Sequence, residues 1–215
     1  MVLSRPDGVS EIVWLRSVLS AAGVTGADHL AMFTAGSFVS DFDQQAATPI
    51  LLEALPSLSK PWMVGAVLRH MGSSRADPGR FAILVPTYRQ WLPVDLRLCD
   101  QIGAALIVSA VPTDRQHVTD VLDLVTDSSV RRAQQSIVAE LWRLRHDDRV
   151  VPVLVEMCAD DDICTAAMPA LRRAIGNDQA QPILARLRDT ARSDHVRFHA
   201  ARQERTASKN LRSRA

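Results

Sequence analysis

The stretch that decides the fold is "SSVRRAQQSIVAELWRLR", Ser128 to Arg145. Its apolar residues Val130, Ala133, Ile137, Val138, Leu141 and Leu144 recur at every third or fourth position. That period marks one face of a helix, whereas a half-buried strand alternates every second residue. The same arrangement returns along the chain. Helices of this type start at Trp62 in "KPWMVGAVLRHMG", Leu96 in "VDLRLCDQIGAAL", Val130, Ile163 in "DDICTAAMPALRRAIG" and Val196 in "DHVRFHAARQE". The successive spacings are 34, 34, 33 and 33 residues.

The copies share chemistry as well as spacing. Three residues after each start stand Gly65, Cys99, Ala133, Ala166 and His199, four of them small enough for close helix packing. Asp95, Asp127, Asp162 and Asp194 precede four of the starts and are expected to cap them or to favour the positive end of the helix dipole. A first apolar helix comes before each of these second helices: "PILLEAL" from Pro49, "AILVPTY" from Ala82, "DVLDLV" from Asp120, "PVLVEM" from Pro152 and "PILARL" from Pro182. Proline suits the first helical turn, where its missing N–H had no partner. Each unit is therefore a helical hairpin of about 33 residues, and a period in that range means a stacked array, because one hairpin cannot bury its apolar faces alone.

The pattern of a Pro–apolar–Leu first helix followed by Asp–x–x–Val–Arg–x–x–Ala resembles the HEAT repeats, a family of helical-hairpin solenoids. The closest matches are Asp127–Val130–Arg131–Ala133 and Asp194–Val196–Arg197. The resemblance implies an all-α, right-handed α-solenoid of about five hairpins. It also implies a ladder of turn Asp and second-helix Arg between neighbouring units, here through Asp127/Arg131 and Asp194/Arg197. The copy at Trp62 has neither residue, so the ladder is expected to stop there, and the "AILVPTY" helix departs from the pattern by carrying Pro86 and lacking a starting Pro.

This reading divides one domain into a helical cap at 1–45, repeats over 46–206 and a basic flexible tail at 207–215. In the cap, "SEIVWLRSVLSAAG" runs from a capping Ser10 to Gly23, and "ADHLAMFTAGSF" is expected to be a second short helix. The cap should bury the apolar helix around Trp62. The longest loop is expected at Gly72 to Arg80.

Bulk properties exclude some classes. The 215 residues suffice for one sizeable core. Residues 172–215 hold eleven Arg and Lys against four Asp and Glu, a charge of +7. The remainder holds fourteen against twenty, or −6, so an acidic body carries a basic end. Three cysteines, Cys99, Cys158 and Cys164, form no CxxC pair and read as buried reduced thiols. The longest uncharged apolar run, Ile102 to Val111, is about half of the ~20 residues that span a membrane. Asp7, Glu11 and Arg16 interrupt any signal-peptide core, so the cytoplasm is the expected location.

The exposed side of the second helices is the natural binding face of such an array. Its expected residues are Arg132, Gln135, Arg143, Thr165, Arg172 and Phe198, with Gln101, Ala139 and Arg205 at equivalent places. The face becomes more basic toward the C-terminus. Trp142 lies at the flank of its helix, suited either to a binding hot spot or to packing on the next unit. His195 and His199 share a helix face, but no third metal ligand is apparent. No GxSxG, HExxH or Gly-rich phosphate loop is present. The expectation is a non-enzymatic adaptor without cofactor or metal that takes a protein or peptide partner; a homodimer through the Trp62 region is a further possibility. Nucleic acid is the second choice. Bacterial alkylpurine DNA glycosylases are built from HEAT-like repeats, and by that analogy Asp100 and Glu140 are the carboxylates to watch.

Overall fold

A computed structural model of the chain describes residues 3, 5–27, 42–70 and 76–212. The second cap helix expected over "ADHLAMFTAGSF" falls almost entirely outside them. Eleven α-helices and no strand occur among the described residues: α1 Glu11–Ala21, α2 Gln44–Ala54, α3 Pro61–His70, α4 Pro78–Trp91, α5 Leu96–Ser109, α6 Arg115–Thr126, α7 Arg131–Glu140, α8 Val150–Met157, α9 Cys164–Ile175, α10 Asn177–Thr190 and α11 Asp194–Arg212. Short 3₁₀ segments at Ser128–Val130 and Leu141–Leu144 extend α7 at both ends.

The helices pair as the period predicts. Hairpins form from α2 and α3, α4 and α5, α6 and α7, α8 and α9, and α10 and α11. The second helices also pack in succession, α3 on α5, α5 on α7, α7 on α9 and α9 on α11. Among the described residues the closely packed pairs are neighbours or next-but-one neighbours along the chain. The apolar stripe of the opening stretch is buried as its spacing requires: Ala133, Ile137, Val138, Leu141 and Leu144 are all inaccessible. Between α5 and α7 the approach is close enough that a Cβ on Gly103 would sit 2.8 Å from Ile137 Cγ1. Across the same layer the buried Tyr88 hydroxyl donates to the Ala133 carbonyl at 3.1 Å.

The turns into the second helices repeat one device. A side-chain oxygen accepts from the backbone N–H two residues on: Asp95 from Arg97 at 2.9 Å, Asp127 from Ser129 at 2.9 Å, Asp160 from Asp162 at 3.0 Å and Ser193 from His195 at 3.2 Å. The bonds of Asp95, Asp127 and Ser193 satisfy donors that a helix start leaves open, and that of Asp160 closes the turn before α9. Ser193 thus takes the capping role expected of Asp194, whereas Asp160 serves the turn ahead of α9, whose N-cap Ile163 makes no side-chain cap. Asp162 lies inside the turn before α9, whereas Asp194, the first residue of α11, does not cap it but places its acidic side chain in the first turn, where it favours the positive end of the helix dipole as expected.

The arginines that follow the caps reach backward. Arg131 Nη1 donates to the Val125 carbonyl at 2.7 Å, and Arg197 Nη1 donates to Ala191, also six residues earlier, at 2.7 Å. Both tie the end of a first helix to the start of the second. The rung between units expected of Asp127/Arg131 is made by Arg131 with the turn Asp of the next unit, its Nε meeting Asp160 at 2.7 Å. Arg197 does pair with Asp194, but within α11.

The first helices start earlier than their prolines suggest. Asp43 caps α2, Asp77 caps α4 and Asp114 caps α6, each through its side chain. Pro49 and Pro182 therefore sit inside α2 and α10 rather than in the first turn. The helix around Pro86 starts at Pro78, inside the stretch expected as a loop, and so does have a starting proline. At the other end α11 continues to Arg212, past residue 207 where a flexible tail was expected. Ala207 is fully buried and Gln181 Nε2 reaches Ser208 Oγ at 3.4 Å, which holds this last turn against α10.

The N-terminal helix is fastened by a buried carboxylate. Glu11, on α1, accepts from the backbone N–H of Ser59 at 2.7 Å and of Lys60 at 3.3 Å, from Ser59 Oγ at 2.6 Å and from Arg5 at 3.2 Å. It thereby serves donors just ahead of α3. Trp62 itself is not buried under the cap: it is 49% exposed and lines a cleft. Among the described residues no helix is long and apolar enough to cross a membrane.

Candidate interface on the second-helix face

Two clefts adjoin across the N-terminal parts of the second helices. The first, of about 240 Å³, lies between α3 and α5 and is lined by Trp62, Gly65, Arg69, Asp95, Arg97 and Gln101, among others. The second, of about 380 Å³, is lined by Leu96, Ser128, Ser129, Arg131, Arg132, Gln135 and Asp162, from α5 to the turn before α9. Leu96 in the second cleft stands between Asp95 and Arg97 in the first, so only the start of α5 separates them.

The charges of these clefts divide into committed and free groups. Arg131 is held by Asp160, Val125 and Gln134. The Asp95 carboxylate is turned to the N–H groups of Arg97 and Leu98. Gln135 Nε2 donates to the Asp162 carbonyl at 2.5 Å. Arg69, Arg97 and Arg132 are exposed, and their guanidinium groups have no hydrogen bond or ion pair among the described residues. The freedom of Arg97 has a local cause. It matches Arg131 and Arg197 in the repeat, and its carbonyl six residues back is that of Trp91. That oxygen already accepts from Val94 N and Asp95 N, each at 2.9 Å, so Arg97 turns to the cleft instead.

Of the six residues expected on this face, Arg132 and Gln135 share the second cleft. Thr165 and Phe198 are exposed on α9 and α11 but line neither cleft; Phe198 is 60% exposed and meets His199 edge-on at 5.3 Å. Arg143 and Arg172 go elsewhere. Both lie at the C-terminal ends of their helices and are bound to the protein. Arg172 donates to Asn177 at 3.0 Å and to Gln203 at 2.7 Å, and burial, then the neighbouring Arg173 charge, lowers its pKa. Arg143 Nε meets Glu140 at 2.8 Å and its guanidinium lies 5.4 Å from the Trp142 ring centre. Arg145 and Arg173 flank the same ring at 5.6 and 5.9 Å, and Arg173 also reaches Glu140 at 3.4 Å. Trp142 thus packs under arginines from its own and the next hairpin, as a pin between units.

The two carboxylates named for repair chemistry are both engaged. Asp100 accepts from Ser136 N at 2.7 Å and Ser136 Oγ at 2.9 Å, clamping α5 to α7. One unit on, the place of Ser136 is taken by Pro169, which has no N–H to give. Glu140 holds Arg143 and Arg173. The His195 and His199 rings lie 4.5 Å apart, and burial, followed by the His195 and Arg202 charges, lowers the pKa of His199. Among the described residues no group of three or more His, Cys, Asp or Glu comes together in a way that could hold a metal ion. The three cysteines are free and buried, and burial pushes their thiols up to about 12 at Cys99 and Cys158 and about 11 at Cys164.

Sequence reasoning missed Trp62, Arg69 and Arg97 as members of this face. The signal available was the register: Arg97 follows its helix start as Arg131 and Arg197 do, but the two residues between Trp91 and its Val94 differ from the other turns. The chain matches no protein-family model, no curated protein and no solved structure.

Proposed function

We propose that the chain is a non-enzymatic cytoplasmic scaffold, a right-handed solenoid of HEAT-like hairpins that binds a protein or peptide along its second-helix face. The packing of α3, α5, α7, α9 and α11 in succession supports the stacking. One observation carries the binding role: two adjoining clefts cross three hairpins, with a half-exposed Trp62 at one end and unpaired Arg97 and Arg132 along them. A tryptophan in a cleft supplies much contact area at a small entropy cost, and rim arginines speed encounter and select partners by charge. Function here is surface complementarity, with no bond made or broken.

Exposed arginines beside a tryptophan also suit single-stranded nucleic acid, which stacks bases on aromatics and neutralises phosphates. The commitment of Asp100 and Glu140 to structural partners weighs against base excision within that reading. The test is a titration with single-stranded and duplex oligonucleotides at two salt concentrations, alongside a photo-crosslinker at position 101. The scaffold reading expects no oligonucleotide binding at low salt and protein adducts at position 101 that are absent when the crosslinker is moved to position 13. Micromolar oligonucleotide binding that weakens steeply with salt and vanishes in Arg97→Glu/Arg132→Glu would overturn it.

A further inference from the structure

We infer that the occupant of the two clefts is an extended acidic peptide segment with one aromatic or large aliphatic anchor, the anchor on Trp62 and carboxylates on Arg97 and Arg132. This rests on the scaffold reading and narrows it to a partner chemistry.

Charge complementarity comes first. Arg69, Arg97 and Arg132 bring three guanidinium groups with no partner among the described residues; of the two acids lining the clefts, Asp95 is spent on its cap and the exposed Asp162 leaves the balance at three cations to one free carboxylate. A guanidinium left in water gains little alone, but its planar fork matches a carboxylate with two parallel bonds. The chain as a whole carries +1, so the attraction comes from these local guanidinium groups and not from the overall field.

Geometry sets the spacing. Packed helices lie about 8–10 Å apart, and an extended chain advances about 3.3 Å per residue. Trp62 is on α3, Arg97 on α5 and Arg132 on α7, so each step from helix to helix takes roughly three residues. The matching segment has its anchor, one acid three residues along and a second acid three residues beyond that. At the floor stands Gly65, which carries no side chain; a Cβ there would meet Gln101 Oε1 at 3.2 Å, Arg69 Nη1 at 3.7 Å and Leu98 Cδ1 at 4.0 Å.

The experiment uses the full chain and fluorescein-labelled dodecapeptides of Gly and Ser that carry one Trp and two Glu, the spacing varied from one to six residues. Matched peptides with Lys for Glu and a twelve-residue thymidine oligonucleotide are titrated beside them, and anisotropy is read. The tightest binding is expected at a spacing of three, weakened at least tenfold by Trp62→Ala and by Arg97→Glu/Arg132→Glu, and unchanged by Phe198→Ala. Circular dichroism melting checks that each variant remains folded. Preferential binding of the Lys peptides, or Glu-peptide binding indifferent to spacing and to these variants, would overturn the inference and leave the scaffold reading standing. No binding by any peptide up to millimolar concentration would remove both. Oligonucleotide binding lost in the same variants would replace them with the nucleic-acid reading.

Discussion

Gln134 is inaccessible to water, yet each of its polar atoms has a partner. Its Nε2 donates to the Leu124 carbonyl at 3.0 Å and the Asp127 carbonyl at 2.7 Å, and its Oε1 accepts from Arg131 at 2.8 Å. Gln134→Leu keeps the volume and strands two carbonyls, so a loss of about 2–4 kcal/mol is expected in urea unfolding. A second residue-scale consequence concerns alkali. The three buried thiols ionise at about 11 to 12 in the folded chain but near ~8.5 when unfolded. Their folded pKa values are raised, so above about pH 8.5 the unfolded chain releases protons the folded chain keeps, and stability falls as pH rises. With three such groups the slope between about pH 9 and 11 approaches ~4 kcal/mol per unit. The triple substitution of these cysteines by Ala should flatten that slope; a slope unchanged in the triple variant would contradict the burial argument. Little of this was legible in the sequence. Burial of the cysteines was, from composition, but Gln134 carries no pattern that separates it from Gln135 beside it.

At the scale of elements, the closest contact is Gly103 against Ile137. Gly103→Ala improves helix propensity by about 1 kcal/mol, yet forces a Cβ to 2.8 Å from Ile137 Cγ1, an overpacking cost of about 1–3 kcal/mol. A net loss is expected in the wild-type background. In an Ile137→Ala background the same change should become stabilising, and a double-mutant cycle measures the reversal. The second helices were readable because their apolar starts and the residues three places on keep a period of 33 or 34. The first helices were readable as elements but not in their starts. Pro49 and Pro182 looked like first-turn prolines, whereas the side-chain cap at Asp43 and the positive-φ Gly176 begin those helices well upstream. The face itself was half legible. Arg132 and Gln135 followed from the helical stripe, but the release of Arg97 depends on which N–H groups occupy the Trp91 carbonyl, a matter of turn geometry that spacing does not encode.

For the whole molecule, the all-helical hairpin order followed from one period, and the extent of its C-terminal end did not. The segment from Ala207 lacks an apolar stripe, but a single buried alanine and one hydrogen bond to α10 extend α11 through it. Removing residues 207–215 should therefore lower stability by about 1 kcal/mol, measured by urea unfolding, where a loose tail would give no change. Glu11 sets the other end. Glu11→Ala leaves the Ser59 and Lys60 amides without their carboxylate, and hydrogen exchange at these two amides should rise at least tenfold, with slower change in α7 to α11.

The restriction of close packing to adjacent and next-but-one helices has a consequence for synthesis. A nascent chain leaving the ribosome N-terminus first never waits for a distant partner: by the time α5 has emerged, α3 and α4 are already there to receive it, and α7 then finds α5 in place. Each hairpin is the template for the one after it. The chain can thus acquire its structure in the order in which it is translated, and the apolar surface bare at any moment is that of the most recent hairpin alone.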